Sequence, residues 1–515
     1  MQHTLQLKLL PSEAAADAIV RNHVASATGQ PVSAITGYRL LKRSIDARSR
    51  QPYIILTFLV FINEPYQDIE PEHILFPDVS RAEKSVIVIG AGPAGLFAAL
   101  RLIEKGIRPI LLERGKDVRS RRRDLALLNK EGVINPDSNY CFGEGGAGTY
   151  SDGKLYTRSN KRGNINRILQ LLVQFGAEKN ILVEAHPHIG TNKLPQIIQA
   201  MRQQIQNSGG LFLFEKKVVD FILQDNAIKY VKTADGDTFE GHSVILATGH
   251  SARDIFQLLH DKKILIEVKP FALGVRVEHP QALIDSLQYH CPLRGDYLPP
   301  ASYSLVEQVD KIGVFSFCMC PGGIIAPAST SPGELVVNGW SPSKRNNPYA
   351  NSGIVVSIEE KDMAAFKQQG PLAGLYFQQS VEKAAFELGG GKFVAPGQRL
   401  TDFVAGRTSS TLPDCSYLPG LHSAPLGKVL PDFVYNTLRQ GFTAFGKKMK
   451  GYFTQEAVVV ATESRTSSPV RIPRDPTTLR HPQIKNLFPC GEGAGYAGGI
   501  VSAAMDGERV ADHCI

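Results

Sequence analysis

The chain of 515 residues sets 57 lysines and arginines against 49 acids, a formal charge of +8, with 43% hydrophobic and 21% charged residues. That length leads us to expect about three domains; no apolar run reaches the roughly 18 residues of a membrane span, and an odd, thinly spread set of seven cysteines excludes a secreted disulfide framework. Met1-Gln-His-Thr-Leu5 lacks a signal-peptide layout, so the expected setting is the cytoplasm, away from membranes, and the charge admits an anionic partner such as a dinucleotide, an acidic metabolite or RNA.

Residues 1–80 read as a small N-terminal unit. Leu5-Gln-Leu-Lys-Leu9 alternates as a strand, Ser12 caps a helix from Glu13 to Ala25, and Tyr38–Ile45 and Tyr53–Asn63 supply two more strands. The expected unit is a β-α-β-β, ferredoxin-like α+β domain. Lys42–Arg48 is either a basic binding hairpin or a charged turn between paired strands, and Pro65–Pro77, with Pro71 inside it, is a linker.

Residues 81–251 carry the strongest signal. An apolar strand from Val86 meets Gly90, Gly92 and Gly95 in G-x-G-x-x-G spacing, with Pro93 and Ala94 opening a helix. A second apolar run ends at Glu113 and Arg114, about 20 residues on, where a carboxylate can accept from an adenosine ribose. The helix N-terminus would face a pyrophosphate. The arginine run at 119 and 121–123 reads as a solvated helix face, with a phosphate-facing role as the alternative. A glycine-rich stretch follows from Tyr140, in which Gly145, Gly146, Gly153 and Lys154 are candidate ligand contacts. Helical spacing marks Ile165–Phe175 and Leu194–Asn207; Leu211–Phe214, Val218–Leu223 and Ala227–Thr233 alternate like an antiparallel meander. The buried strand Val244–Leu246 then runs into Ala247-Thr248-Gly249. A meander closed by such a strand makes the nucleotide FAD rather than free NAD, with Val218, Thr248 and Gly249 as contacts.

Residues 252–475 break the βα alternation and read as an inserted, strand-rich α+β substrate domain, including strands Phe271–Glu278 and Gly313–Cys320. Cys318 and Cys320 would lie on one strand face, as buried apolar packing, as an active-site thiol pair, or as part of a metal site for which nearby ligands are too few. Arg276 either grips a carboxylate or phosphate or forms an exposed salt bridge. Arg465 and Ser467 would contact flavin or substrate, or cap a turn before Pro469; Arg407, Ser409 and Ser410 repeat that argument more weakly. Residues 476–515 return to the nucleotide domain: Gly491 and Glu492 form a second half-site, and a final helix opening at Gly499 and Ile500 aims its positive end at the flavin.

Long blocks of the chain resemble the uncharacterised FAD-dependent oxidoreductases, or dehydrogenases, of bacteria and plastids. They are Ser44–Arg48, Phe142–Lys154, Lys269–Arg276, Phe317–Gly323, Ala350–Val355 and Thr462–Arg471. The resemblance implies an α/β flavoprotein with a discontinuous, glutathione-reductase-type FAD-binding Rossmann domain and no settled substrate. No second G-x-G-x-x-G follows Gly95, so a dedicated NAD(P)H domain is not expected. The expected function is hydride transfer between a small-molecule substrate and flavin N5. NAD(P)H as a transient donor, another protein, or the substrate itself would provide the electrons. The alternatives are an FAD-dependent tRNA-modifying enzyme and a non-catalytic FAD-bound redox sensor or scaffold that docks a protein partner through residues 1–80.

Overall fold

The computed structural model describes residues 1–68, 70, 72–157 and 163–514. Pro71, inside the expected linker, lies outside them. The molecule is a mixed α/β protein, and no described helix is long and apolar enough to cross a membrane.

At the N-terminus, strands Gln2–Leu9, Ile35–Asp46 and Tyr53–Ile62 form an antiparallel sheet with Tyr53–Ile62 central. The expected helix from Glu13 is two helices, Pro11–Ala14 and Asp17–Thr28. Pro11, rather than a Ser12 cap, opens the first, because a fixed φ suits the first helical position; Glu13 reaches back to the Leu10 amide at 2.9 Å. Lys42–Asp46 belongs to a strand and not to a turn, paired with Ile54–Thr57 and beyond. The inner face of this sheet joins one apolar core with the inserted region, through residues such as Leu7, Ile54 and Val60.

The nucleotide-binding half is built on five parallel strands in the order Leu487–Pro489, Ser243–Leu246, Ser85–Ile89, Arg108–Leu112, Leu211–Leu213. Leu211–Leu213 is therefore a parallel edge strand beside Ile110–Leu112 and not the first strand of the meander. Its apolar alternation has the period of either arrangement; the preceding helix Leu194–Asn207 makes it a crossover, which leads to parallel pairing. The meander proper is Val218–Gln224, Ala227–Thr233 and Thr238–Phe239. Ile89, Leu112, Leu246 and Pro489 align at the carboxyl edge of the parallel sheet, the edge where open α/β sheets hold ligands.

Two helices lie side by side below that edge. Pro93–Glu104 packs against Ile500–Ala511 so closely that a Cβ on Gly507 would stand 2.1 Å from the Ala94 carbonyl oxygen. One on Gly95 would stand 1.9 Å from the Gly90 oxygen, so glycine is required at both approaches.

The inserted region centres on a seven-stranded, mainly antiparallel sheet whose middle strands are Ile312–Cys320, Tyr349–Ile358, Phe271–Pro280 and Val458–Glu463. It also carries two helices of 17 residues, Ala373–Gly389 and Asp432–Lys448. The second, which was not among the elements expected from the sequence, buries Val434, Leu438, Gly441, Phe442 and Phe445 on one face at helical spacing.

Candidate functional site

Where the parallel sheet meets the inserted sheet lies a cavity of about 370 Å³. It is lined by Gly90, Gly92, Pro93 and Ala94, where helix Pro93–Glu104 begins, and by Glu113 and Arg114. Glu492, Gly498, Gly499 and Ile500, where the final helix begins, line it too, with Gly148 close to both Pro93 and Ile500. Both helices present unpaired N-terminal amides and their positive dipole ends to one space. Gly146, Gly153, Lys154, Val218, Thr248 and Gly249 complete the nucleotide-domain wall, and Cys318 and Arg465 arrive from the inserted region.

Glu113 is held by the backbone around it. Its carboxylate accepts from the amides of Ala91 at 2.9 Å, Gly115 at 2.8 Å and Gly143 at 3.0 Å. With roughly four acceptor positions on a carboxylate, one remains for a ligand. Arg114 lies over the Phe142 ring at 4.4 Å and is paired with Asp254.

The glycine-rich stretch is organised by a residue that the sequence placed in solvent. Arg119, Arg122 and Arg123 are exposed, but Arg121 is fully buried. Its guanidinium donates to the carbonyls of Asn139, Tyr140, Glu144 and Gly146 at 2.8–2.9 Å and to Thr149 Oγ1 at 3.2 Å. Five N–H donors in a fixed fork suit a ring of inward-facing carbonyls. The solvated-face reading is therefore corrected at this position.

Several predicted site residues stand outside the cavity lining. Gly95 serves helix–strand contact; the Gly145 amide donates to Ala91 O at 2.8 Å, and that of Gly491 donates to Asp506 at 2.8 Å. Ser467 accepts from Lys269 at 3.4 Å and does not itself line the cavity, although its neighbour Thr466 does. Arg276 is corrected on both of its readings: it is wholly buried, paired with Glu463 at 2.7 Å and bonded to Asn351 at 2.6 Å, so it is neither exposed nor free to take a substrate anion. Arg407 pairs with Asp402 at 2.7 Å, and Ser409 accepts from the Arg399 amide, both remote from the site. Ser410 does not line the cavity either.

Arg465 borders the cavity with its donors engaged. It bonds Glu382 at 2.9 and 3.1 Å and Thr330 at 2.7 Å, while Arg253 takes the other edge of Glu382 at 2.8 and 2.9 Å and reaches Glu334 at 3.1 Å. Burial works against the charged carboxyl of Glu382, but Arg253 and Arg465 overrule it and hold it down to about 2.

A second buried cluster was only partly visible in the sequence. Lys154 donates to the Met319 carbonyl and stands 3.9 Å from Asp152, which Arg345 grips at 2.7 Å. Burial opposes the ammonium charge, and the facing thiols Cys318 and Cys320, with Asp152, outweigh it and push Lys154 up. Asp152, Cys141, Phe142, His250 and Asn338 also line the cavity. Asp152 sits within the Ser151–Lys154 run, whose charged pair separated by glycine was the available signal; the others arrive by folding alone. No group of three or more His, Cys, Asp or Glu among the described residues is placed to hold a metal ion.

Arg345 also lines a second, more polar cleft of about 1290 Å³ between the N-terminal sheet and the body. Its basic residues Arg43, Arg48 and Arg294 pair with Glu184, Asp46 and Asp285, and Lys8 approaches Asp46 at 4.0 Å.

Comparison with known proteins matches several stretches of the chain. A family model for an FAD binding domain matches residues 83–127, one for glucose inhibited division protein A matches 194–280, and one described as FAD-dependent protein, C-terminal domain-like, matches 270–466. Residues 1–61 match a domain of unknown function. An uncharacterized protein of Clostridium beijerinckii is 39% identical over 494 residues, 92% of each chain. A tRNA uridine 5-carboxymethylaminomethyl modification enzyme of Alkaliphilus metalliredigens is 30% identical over 172 residues, 32% of this chain and 24% of that protein. Among solved structures, a 2,6-dihydroxypyridine-3-hydroxylase from Arthrobacter nicotinovorans covers 83% of each chain at 13% identity with a TM-score of 0.37. An open flavocytochrome c3 fumarate reductase covers 84% of this chain and 79% of that one at 14% identity and 0.32. Likenesses that distant say nothing of the reaction catalysed here.

Proposed function

This chain belongs to an uncharacterised family of FAD-dependent proteins, and from that premise we propose an oxidoreductase that exchanges a hydride between a small-molecule substrate and flavin. The observation that carries the reading is the convergence of two helix N-termini from opposite ends of the chain on one cavity, into which the inserted region also projects. The donor set fits a dinucleotide: amides at the start of helix Pro93–Glu104 for a pyrophosphate, the remaining acceptor of Glu113 for a ribose, and the start of Ile500–Ala511 for the electron-rich edge of the flavin.

Bound FAD would supply the two-electron chemistry. The protein's own part is positioning and electrostatics. Arg121 and Glu113 hold the glycine-rich loop against the cofactor space, and the Arg253–Glu382–Arg465 network fixes the wall contributed by the inserted region. Lys154 keeps a positive charge at the cavity wall, with Asp152 and Arg345 behind it. Substrate enters between the two sheets, and NAD(P)H acts as a transient donor.

Anaerobic mixing of the holoenzyme with NADH or NADPH, followed by metabolites that accumulate in a deletion strain, tests this. The expected result is bleaching by a donor and recovery with a specific metabolite. A flavin that no donor reduces and no metabolite reoxidises would leave the sensor or scaffold reading, with residues 1–80 as a protein-docking unit.

A second reading, tRNA modification, is favoured by the partial match to the Alkaliphilus enzyme. Six lysines and arginines line the polar cleft against three acids, Asp46, Glu184 and Asp296, so net positive charge remains there for a polyanion. Salt-sensitive binding of tRNA by the purified protein would support this reading, and salt-independent or absent binding would remove it.

A further inference from the structure

We propose that Cys318 and Cys320 form a redox-active thiol pair that exchanges two electrons with the FAD held in the same cavity. In a regular strand, residues i and i+2 share a face about 6.6 Å apart along the chain, whereas a disulfide needs Cβ atoms roughly 4 Å apart. The strand is not regular here. Phe317 pairs with Gly353 and Cys320 with Asn351, so Cys318 and Met319 together oppose Ser352, and Cys318 takes a φ of 46°. Such a bulge re-aims side chains. It turns Cys320 Sγ back towards Cys318, where it donates to the Cys318 carbonyl at 3.3 Å.

The pair is asymmetric in the manner of an attacking and a resolving thiol. Cys318 lines the cavity, and Cys320 is fully buried behind it. Two cations clamp the segment: the buried Arg276 donates to the Cys318 carbonyl at 3.3 and 3.4 Å, and the half-buried Lys154 to that of Met319. Neighbouring cations favour the thiolate, the reactive form, and hydrogen bonding from Cys320 together with Lys154 and Arg276 draws the Cys318 thiol down. Packing alone would account for a small buried residue at Cys320; it gives no reason for a left-handed cysteine at 318 or for two cations directed at one turn of strand.

On oxidation the Cys318 thiolate and the Cys320 thiol form an S–S bond. Their two electrons and the Cys320 proton pass to FAD, giving FADH⁻ and leaving the charge balanced. The inference rests on the FAD reading above and adds a store of reducing equivalents beside the flavin.

Anaerobic dithionite titration of the air-oxidised holoenzyme should consume four electrons per FAD, and Cys318→Ser and Cys320→Ser should each consume two while keeping their FAD. Cys291→Ser, remote from the cavity, should still take four. Thiol counting after denaturation should find two fewer than the seven cysteines of the sequence before reduction and all seven after it. Two electrons per FAD in the wild type, with every thiol titrating, overturn the pair while FAD binding stands. Protein that holds no FAD overturns the cofactor reading, and this inference with it.

Discussion

Glu382 is the residue on which the wall of the cavity turns. Its carboxylate lies fully buried between Arg253 and Arg465 and also accepts from Ser464 Oγ at 2.6 Å. Held at about 2 against an ordinary 4.5, it is a depressed acid, so its contribution to stability is complete above the unfolded value and is lost as pH falls from about 4.5 towards 2. Glu382→Gln removes the carboxylate shared by Arg253 and the buried Arg465, leaving Glu334 as their remaining acid, and should cost about 3–5 kcal/mol at neutral pH in denaturant titration. Wild type and variant should converge as pH falls through that window; a constant gap down to pH 2 would refute the assignment. This network was out of reach of the sequence, because its members come from positions 253, 334, 382 and 465 and only Arg465 stood in a suggestive run. Arg121 teaches the same lesson at shorter range. In the sequence it is one arginine among four, and only the helix phase relative to the Asn139–Gly146 carbonyls separates the buried one from its exposed neighbours.

The paired helices Pro93–Glu104 and Ile500–Ala511 set the spacing of the two N-termini that bound the cavity. Gly507→Leu would drive a side chain into the Ala94 backbone, 2.1 Å from the position of its Cβ. Helix propensity favours leucine over glycine by about 1 kcal/mol, so a purely local account predicts stabilisation. The close approach predicts the reverse: a lower melting temperature and FAD affinity reduced at least tenfold, measured by thermal unfolding and flavin-fluorescence titration. A variant with unchanged affinity would mean that the helices do not position the cofactor. Much at this scale was legible. The Gly90–Gly95 turn and helix Leu194–Asn207 follow from pattern alone, and the expected strands Phe271–Glu278 and Gly313–Cys320 fall within the observed Phe271–Pro280 and Ile312–Cys320. What failed had a definite cause: period-two alternation does not distinguish a parallel edge strand from a hairpin, which misplaced Leu211–Leu213. The bulge at Cys318 has no sequence signature of the glycine kind, since a cysteine occupies the left-handed position.

At the scale of the whole molecule, the chain leaves the nucleotide sheet after Leu246 and returns at Leu487, and both of those strands lie in the same five-stranded sheet. The cavity lies at that seam, so cofactor binding depends on residues more than 400 positions apart, from Gly90 to Gly499, meeting across one space. The sequence shows the two half-sites; their meeting is a property of the fold. The central claim is that this space holds FAD, and equilibrium titration of the apoprotein with FAD tests it most directly. The account predicts saturable quenching of flavin fluorescence with one FAD bound per chain, abolished when Gly92→Glu places a carboxylate at the start of helix Pro93–Glu104. Unquenched fluorescence in the wild type, or quenching that survives Gly92→Glu, would contradict it.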